Sequence, residues 1–292
     1  MKNNNLPNSL VYFGTCAGVL QILRHKRLPL FRVLSLKDPF LPSPTEPINF
    51  SKQELYEESV KFMSAAILGK EMPRGNPNHP LQKAIARWRG EERFSSESEI
   101  RESLENLLPP MVEQTYAEAN SIHRQWQDFI KHKAMLPLFA NYDDPMMWYN
   151  EGRKYAGVAI RFKVAEDSPF EQCSAVSYSQ QTISTVSLRD TRDLLVGMAQ
   201  ELIKDFDSTM IRQSSVFRSQ KEWRLILEKE KPEELYFEYP INLVQSLYIG
   251  PLVDEDKVQQ LKEYTQLVNK NINIYQAKCS DIKYELDFVK LE

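Results

Sequence analysis

Ser219-Gln220-Lys221-Glu222-Trp223-Arg224-Leu225-Ile226-Leu227 runs from a polar turn straight into a stretch that reads as a buried β-strand. Side chains two apart in a strand share a face, so Gln220, Glu222 and Arg224 are expected on one surface, with Trp223, Leu225 and Leu227 on the other. An amide, a carboxylate and a guanidinium in a row at a strand's mouth suit a polar site. A solvated sheet face has the same composition, and the residues alone leave both readings open.

Around this strand the chain changes character once. From Leu136 onward, runs at 136–140, 155–163, 175–178, 234–240, 247–250, 272–277 and 284–291 read as strands. Helical spacing intervenes at about Arg189 to Phe206 and Glu255 to Asn269. Leu10 to Gly14 is a first strand, followed by a short helix over Ala17 to His25 and a strand-like run over Leu30 to Leu36. Between about residues 50 and 134 the pattern is helical. Ser51-Lys52-Gln53-Glu54 forms a capping box, and Pro109-Pro110 stands where a six-turn helix starts. These features predict an α+β fold with a mixed, mainly antiparallel sheet. The simplest organisation is a single domain, residues 1–292, with residues 50–134 as a helical insertion.

Composition narrows the function classes. The chain has 292 residues, of which 42% are hydrophobic and 26% charged, values of an ordinary globular protein. A net charge of -3 argues against a protein that grips nucleic acid through a basic surface. Cys16, Cys173 and Cys279 show neither disulfide nor metal-ligand spacing, which suits a reducing compartment. The four histidines do not form a ligand set, so no metal is expected. The N-terminus lacks the apolar core of a secretory signal, and no run approaches the ~20 apolar residues of a membrane span. A cytoplasmic protein without membrane attachment is the expectation.

Several separated segments, taken in order, resemble a bacterial family catalogued as domain of unknown function 2971. They are Tyr12 with Thr15 and Val19-Leu20-Gln21-Ile22-Leu23, then Lys37-Asp38-Pro39-Phe40, then Leu138-Phe139-Ala140 with Asp144 and Met147-Trp148. Gly157-Val158-Ala159-Ile160-Arg161-Phe162, Val176 with Tyr178, Glu222-Trp223-Arg224 and Leu247-Tyr248-Ile249-Gly250 complete the match. The chain departs from the family at Lys37, at Asn150 and Glu151, and at Gln220. The layout is also distantly similar to the ADP-ribosyltransferase fold, whose last motif strand opens in Gln/Glu-x-Glu, as Gln220-Lys221-Glu222 does.

That resemblance implies NAD as substrate, with Glu222 and Gln220 as catalytic residues. Breaking the nicotinamide–ribose bond develops an oxocarbenium-like sugar, which a carboxylate on a rigid strand favours. Gln220 would orient the acceptor, a protein or a nucleic acid. Tyr12 and Trp148 would form an aromatic wall, and Arg32 or Arg24 would hold the diphosphate, with Arg224 beside Glu222. Plainer roles fit the same residues: an ion pair for Glu222, core packing for Trp148 and Tyr12, a packed stem for Arg32. No glycine-rich phosphate loop is present.

Three functions follow as expectations. One is an ADP-ribosyltransferase-like effector of a bacterial defence or toxin system. Another is a non-catalytic, partner-binding subunit of a defence complex. The third is a nucleic-acid-directed effector with Asp38, Glu222 and Asp143-Asp144 as metal carboxylates. The helix from Pro109 to Lys133 carries Tyr116, Trp126 and Phe129, which points to a protein partner or self-association through the insertion.

Overall fold

A computed structural model describes residues 6–36, 41, 48–69, 74–180 and 184–291. The chain opens with β1 (Ser9–Gly14), α1 (Cys16–His25), β2 (Arg27–Pro29) and β3 (Phe31–Arg32). Four helices follow: α2 (Lys52–Leu68), α3 (Pro80–Gly90), α4 (Glu97–Leu104) and α5 (Leu108–Lys131). Then come β4 (Lys133–Phe139), α6 (Pro145–Asn150), β5 (Val158–Lys163), β6 (Ser174–Ala175) and β7 (Ser177–Ser179). After α7 (Leu188–Leu195), α8 (Phe206–Met210) and β8 (Arg212–Ser214) the chain reaches β9 (Glu222–Glu228) and β10 (Tyr236–Glu238). It closes with β11 (Val244–Ile249), α9 (Glu255–Val268), β12 (Asn273–Cys279) and β13 (Leu286–Lys290). No helix of the described residues is long and apolar enough to cross a membrane.

Two compact units emerge. The first comprises the spans Met1–Lys37, Lys131–Gln181 and Ile211–Glu292; the second comprises Asp38–Ile130 and Thr182–Met210. The first unit holds a nine-stranded sheet in the order β13-β12-β11-β5-β1-β4-β9-β6, with β3 paired to β4. Every pairing in it is antiparallel except β11 with β12, so the expected α+β class with a mixed, mainly antiparallel sheet is what forms. The sheet has an apolar layer on each face. Leu10, Leu136, Leu138, Ile160, Phe162, Leu225 and Leu247 belong to the larger layer, packed with α1 and α9 residues such as Leu23 and Leu261. Val11, Phe13, Phe139, Ala159 and Tyr248 belong to the smaller layer, covered by Met147 and Trp148 of α6. Alternation along β1 explains the division: Leu10 and Val11 are neighbours in sequence and belong to opposite layers.

The second unit is helical, with its own core of residues such as Leu55, Met63, Leu81, Ile85, Ile100, Leu108 and Ile122. The capping box at Ser51 is formed as expected: Glu54 N–H donates to Ser51 Oγ, and Ser51 N–H donates to Glu54 Oε2 at 2.7 Å. Segment Thr182–Met210 belongs to this unit and supplies Val186, Leu195, Val196 and Leu202 to its core. The helix expected over residues 189–206 is shorter, because Gly197 adopts φ +76° and ends it with a left-handed turn. The aromatic side chains of α5 that suggested an interface are engaged here. Trp126 is fully buried and lies edge-on to Phe206, Phe129 packs on both, and Tyr116 meets Phe50 edge-on.

The expected strand over Leu30–Leu36 shrinks to the two residues of β3. Ser35 Oγ donates to the Arg32 carbonyl at 2.7 Å and draws Val33–Ser35 into a 3-10 turn.

Candidate active site

Glu222 is the first residue of β9 and stands opposite Phe139 of β4. Its side chain is almost wholly buried, and so is that of Arg224, two residues on and therefore on the same face. The two form a bidentate pair, with Nε donating to Oε1 at 2.7 Å and Nη2 to Oε2 at 3.2 Å. Arg224 also donates to the Arg212 carbonyl at 3.4 Å. The Glu222 backbone is fixed as well. Its N–H donates to the Tyr178 hydroxyl at 2.8 Å, and its carbonyl accepts from Val176 N–H at 3.0 Å. Burial pushes the Tyr178 phenol up from its ordinary value; the Glu222 N–H bond works against that shift, the Glu222 charge adds to it, and Arg224 opposes it.

Gln220 does not join this face. It ends a 3-10 turn, Ser215–Gln220, and Lys221 after it takes φ 48° and ψ 50°. A left-handed residue between Gln220 and Glu222 breaks the period of two that placed them together, so the polar trio on one strand reduces to Glu222 and Arg224.

Tyr12 is on the opposite side of the sheet. Phe139 pairs with Glu222 on one edge and with Val11 on the other, so Val11 shares the Glu222 face and Tyr12 points away from it. Its ring packs against the larger core, and burial raises its phenol above the ordinary value while the charge of Arg153 works the other way. Trp148 is completely buried: its indole N–H donates to the Tyr142 carbonyl at 2.6 Å and its ring meets Phe13 edge-on at 5.3 Å. It is core, with no face open to a nicotinamide ring.

Arg32 is at the wrong end of the strand. Its guanidinium donates to the carbonyls of His132, Lys229 and Glu230, tying off the far ends of β4 and β9. From Glu222 to Glu228 the strand advances six residues, about 20 Å. Asp144 caps α6, accepting from Met146 N–H at 2.8 Å. Among the described residues no three His, Cys, Asp or Glu side chains gather as a metal-ligating group. Asp38 and the rest of Lys37-Asp38-Pro39-Phe40 lie outside the described residues.

One acidic residue elsewhere in the chain feels the charge of Glu222. Glu151 follows α6 directly, and its carboxyl is held above the usual carboxylate range, first by burial and then by the negative charge of Glu222, with Arg153 acting against both. The backbone after it is unusual: Arg153, Lys154 and Tyr155 have φ of 53°, 52° and 69°, three consecutive non-glycine residues in the left-handed region. Close backbone packing holds this turn. A Cβ on Gly157 would meet the carbonyl oxygens of Gly152 and Gly14 at 2.8 and 2.9 Å. On Gly250 it would meet the Tyr155 carbonyl oxygen at 2.2 Å. Such conformations persist where the surroundings over-determine them, and they concentrate at functional sites. The sequence signal for Glu151 was slight: it stood out only as a departure from the family pattern.

The assembled group is therefore Glu222 with Arg224, Tyr178 under the strand's first residue, and Glu151 with Arg153 on the left-handed turn. It offers one fixed carboxylate, one carboxyl with raised proton affinity, and an exposed guanidinium. Comparison with protein-family models gives no match for the chain. Neither a curated protein nor a solved structure matches it significantly.

Proposed function

We propose that this chain is an NAD-consuming enzyme of ADP-ribosyltransferase type, with Glu222 and Glu151 as its two working carboxylates. A bacterial defence or toxin setting goes with the proposal on the strength of the family resemblance. What supports it is a buried carboxylate clamped by arginine, together with a second carboxyl from a distant part of the chain whose proton affinity burial and the first one's charge raise.

In this chemistry the bond from ribose C1′ to the nicotinamide nitrogen breaks, the bonding pair leaves with nicotinamide, and positive charge develops on the sugar. A carboxylate has about four lone-pair sites, and Arg224 engages two of those on Glu222. The remainder accept a ribose hydroxyl and favour the developing charge. As oxygen of water or of an acceptor bonds to C1′, its proton passes to Glu151, whose raised proton affinity moves it toward neutral pH, where a general base is most effective. Arg153 supplies positive charge for the diphosphate. Tyr12, Trp148, Arg32 and Gln220 have no part in this version of the site.

The test is nicotinamide release from labelled NAD by purified protein, with and without a cell extract as a source of acceptors. Glu222→Gln is expected to lose at least ~100-fold, the scale for removing one preorganised electrostatic group. Glu151→Gln is expected to lose a comparable factor and to abolish the acid limb of the pH–rate profile. Wild-type protein that releases no nicotinamide under either condition, or equal turnover by Glu222→Gln, overturns the proposal.

A further inference from the structure

The C-terminal hairpin of the first unit carries a surface that the catalytic proposal does not use. Strands β12 and β13 are joined by Ser280–Glu285, a loop closed by Ser280 N–H donating to the Glu285 carbonyl at 3.1 Å. Hairpin loops favour polar and small residues. This one holds up Ile282, 91% exposed, and Tyr284, fully exposed. Across from the loop, Met146 at the start of α6 is 58% exposed. Between loop and helix lies a groove of about 850 Å³, with Tyr155 and Leu286 also in its wall. Exposed large apolar side chains such as Met146, Ile282 and Tyr284, gathered around one groove, mark an interaction surface.

Two further features define what fits. The groove's rim has three carboxylates, Asp144, Asp281 and Glu285, against one ammonium, Lys283, which itself sits 4.0 Å from Glu285. The rim is therefore net acidic. In addition, β13 is the terminal strand of the sheet, and among the described residues nothing pairs with its outer side. The Ser280–Glu285 bond and the bond from Leu291 N–H to the Ile274 carbonyl fix the phase of the hairpin. Odd-numbered residues of β13 bond inward, so the N–H and C=O groups of Leu286, Phe288 and Lys290 point outward. Leu286 begins this edge and also lines the groove.

We infer that this edge and groove bind an extended segment of a partner protein in which basic residues alternate with large apolar ones. The segment adds as a strand to β13, seats an apolar side chain between Met146 and the Ile282–Tyr284 loop, and sets its basic residues against the acidic rim. The main-chain bonds supply affinity, the groove supplies selectivity for a large apolar anchor, and the rim supplies selectivity for positive charge.

The probe is a synthetic peptide of about ten residues alternating arginine with valine around a central phenylalanine, long enough for one strand. Cys279 lines the groove and is the only exposed cysteine, so a fluorophore placed on it reports occupancy directly. Expected is saturable binding that weakens with salt, falls at least ~10-fold in Ile282→Ser/Tyr284→Ser, and is lost when alternate peptide nitrogens are methylated. Asp281→Lys/Glu285→Lys is expected to reduce the salt dependence. Each variant is checked for unchanged burial of Cys16 and Cys173, which tells lost binding from a lost fold. Equal binding of a peptide with glutamate in place of arginine overturns the inference. So does indifference to the Ile282/Tyr284 substitutions, absence of binding up to ~1 mM, or a dimer crosslinked through Cys279, which would assign the groove to a second copy.

Discussion

Replacing Arg224 by methionine removes the guanidinium and keeps most of the side-chain bulk, leaving the Glu222 carboxylate at the mouth of β9 without its bidentate partner. In the native chain both side chains are more than nine-tenths buried, at 5% and 8% exposure. Two charge-assisted hydrogen bonds to Glu222, at 2.7 and 3.2 Å, are lost, together with the longer bond to the Arg212 carbonyl. At ~1.5–3 kcal/mol each the loss is about 3–6 kcal/mol, in line with the ~3–5 kcal/mol typical of a buried pair broken from one side. The cysteines provide a readout confined to the first unit, because all three lie in it. Cys279 is exposed and labels at once, whereas Cys16 and Cys173 label only when the unit opens. Burial pushes the Cys173 thiol up to about 12, so the folded state does not react near neutral pH. Where opening and closing outpace labelling, the Cys173 rate follows the opening equilibrium. Arg224→Met should then raise it roughly 100- to 4000-fold, converting ~3–5 kcal/mol at tenfold per ~1.4 kcal/mol. Glu222→Leu/Arg224→Met removes both charges and should recover most of the loss, since apolar replacement of a whole buried pair is often near neutral. A change under ~3-fold in Arg224→Met, or a double variant as labile as the single one, would show that the pair does not hold the strand's mouth. The rigid carboxylate on which the proposed activity rests would fall with it.

Glu151 has a raised folded-state pKa, so its contribution to stability is greatest below the usual carboxylate value and declines as pH rises through the folded value. Glu151→Gln should therefore protect Cys173 better than wild type at pH ~7, with the advantage vanishing near pH ~4, while the proposed NAD-consuming activity is lost. Lys154 is exposed with φ 52°, so Lys154→Gly should stabilise the first unit by up to ~1 kcal/mol and Lys154→Val should destabilise it; the reverse order of the two in urea midpoint would contradict the assigned turn. Gly250→Ala drives a methyl to 2.2 Å from a backbone oxygen that cannot rotate away, and a loss of ~2 kcal/mol or more is expected in the same labelling assay.

Much of the fold is written in local patterns. The alternation of β1, β5 and β9, the capping box at Ser51 and the double proline at the start of α5 each act over a few residues, and each element forms near its expected place. The change from helical to strand patterning near residue 136 likewise marks where the sheet resumes at β4. The site was less legible, for definite reasons. A period of two states which residues of one strand share a face, but not which face of the next strand lies beside it. That is fixed by pairing across the chain, and Phe139 bridging Val11 and Glu222 is what sends Tyr12 to the far side. A single left-handed residue, Lys221, removes Gln220 from the strand, and nothing in the stretch from Ser219 to Leu227 announces it. Trp148 and Arg32 have the right chemistry for a ligand, yet packing of α6 onto the sheet and three backbone carbonyls at the opposite strand end engage them first. Glu151 feels the charge of Glu222 from a position far back in the sequence. Side-chain type and strand period are local properties that the sequence determines by itself, whereas proximity between such carboxylates exists only once β4, β5 and β9 have paired and the turn after α6 has been forced left-handed against the backbone of its neighbours.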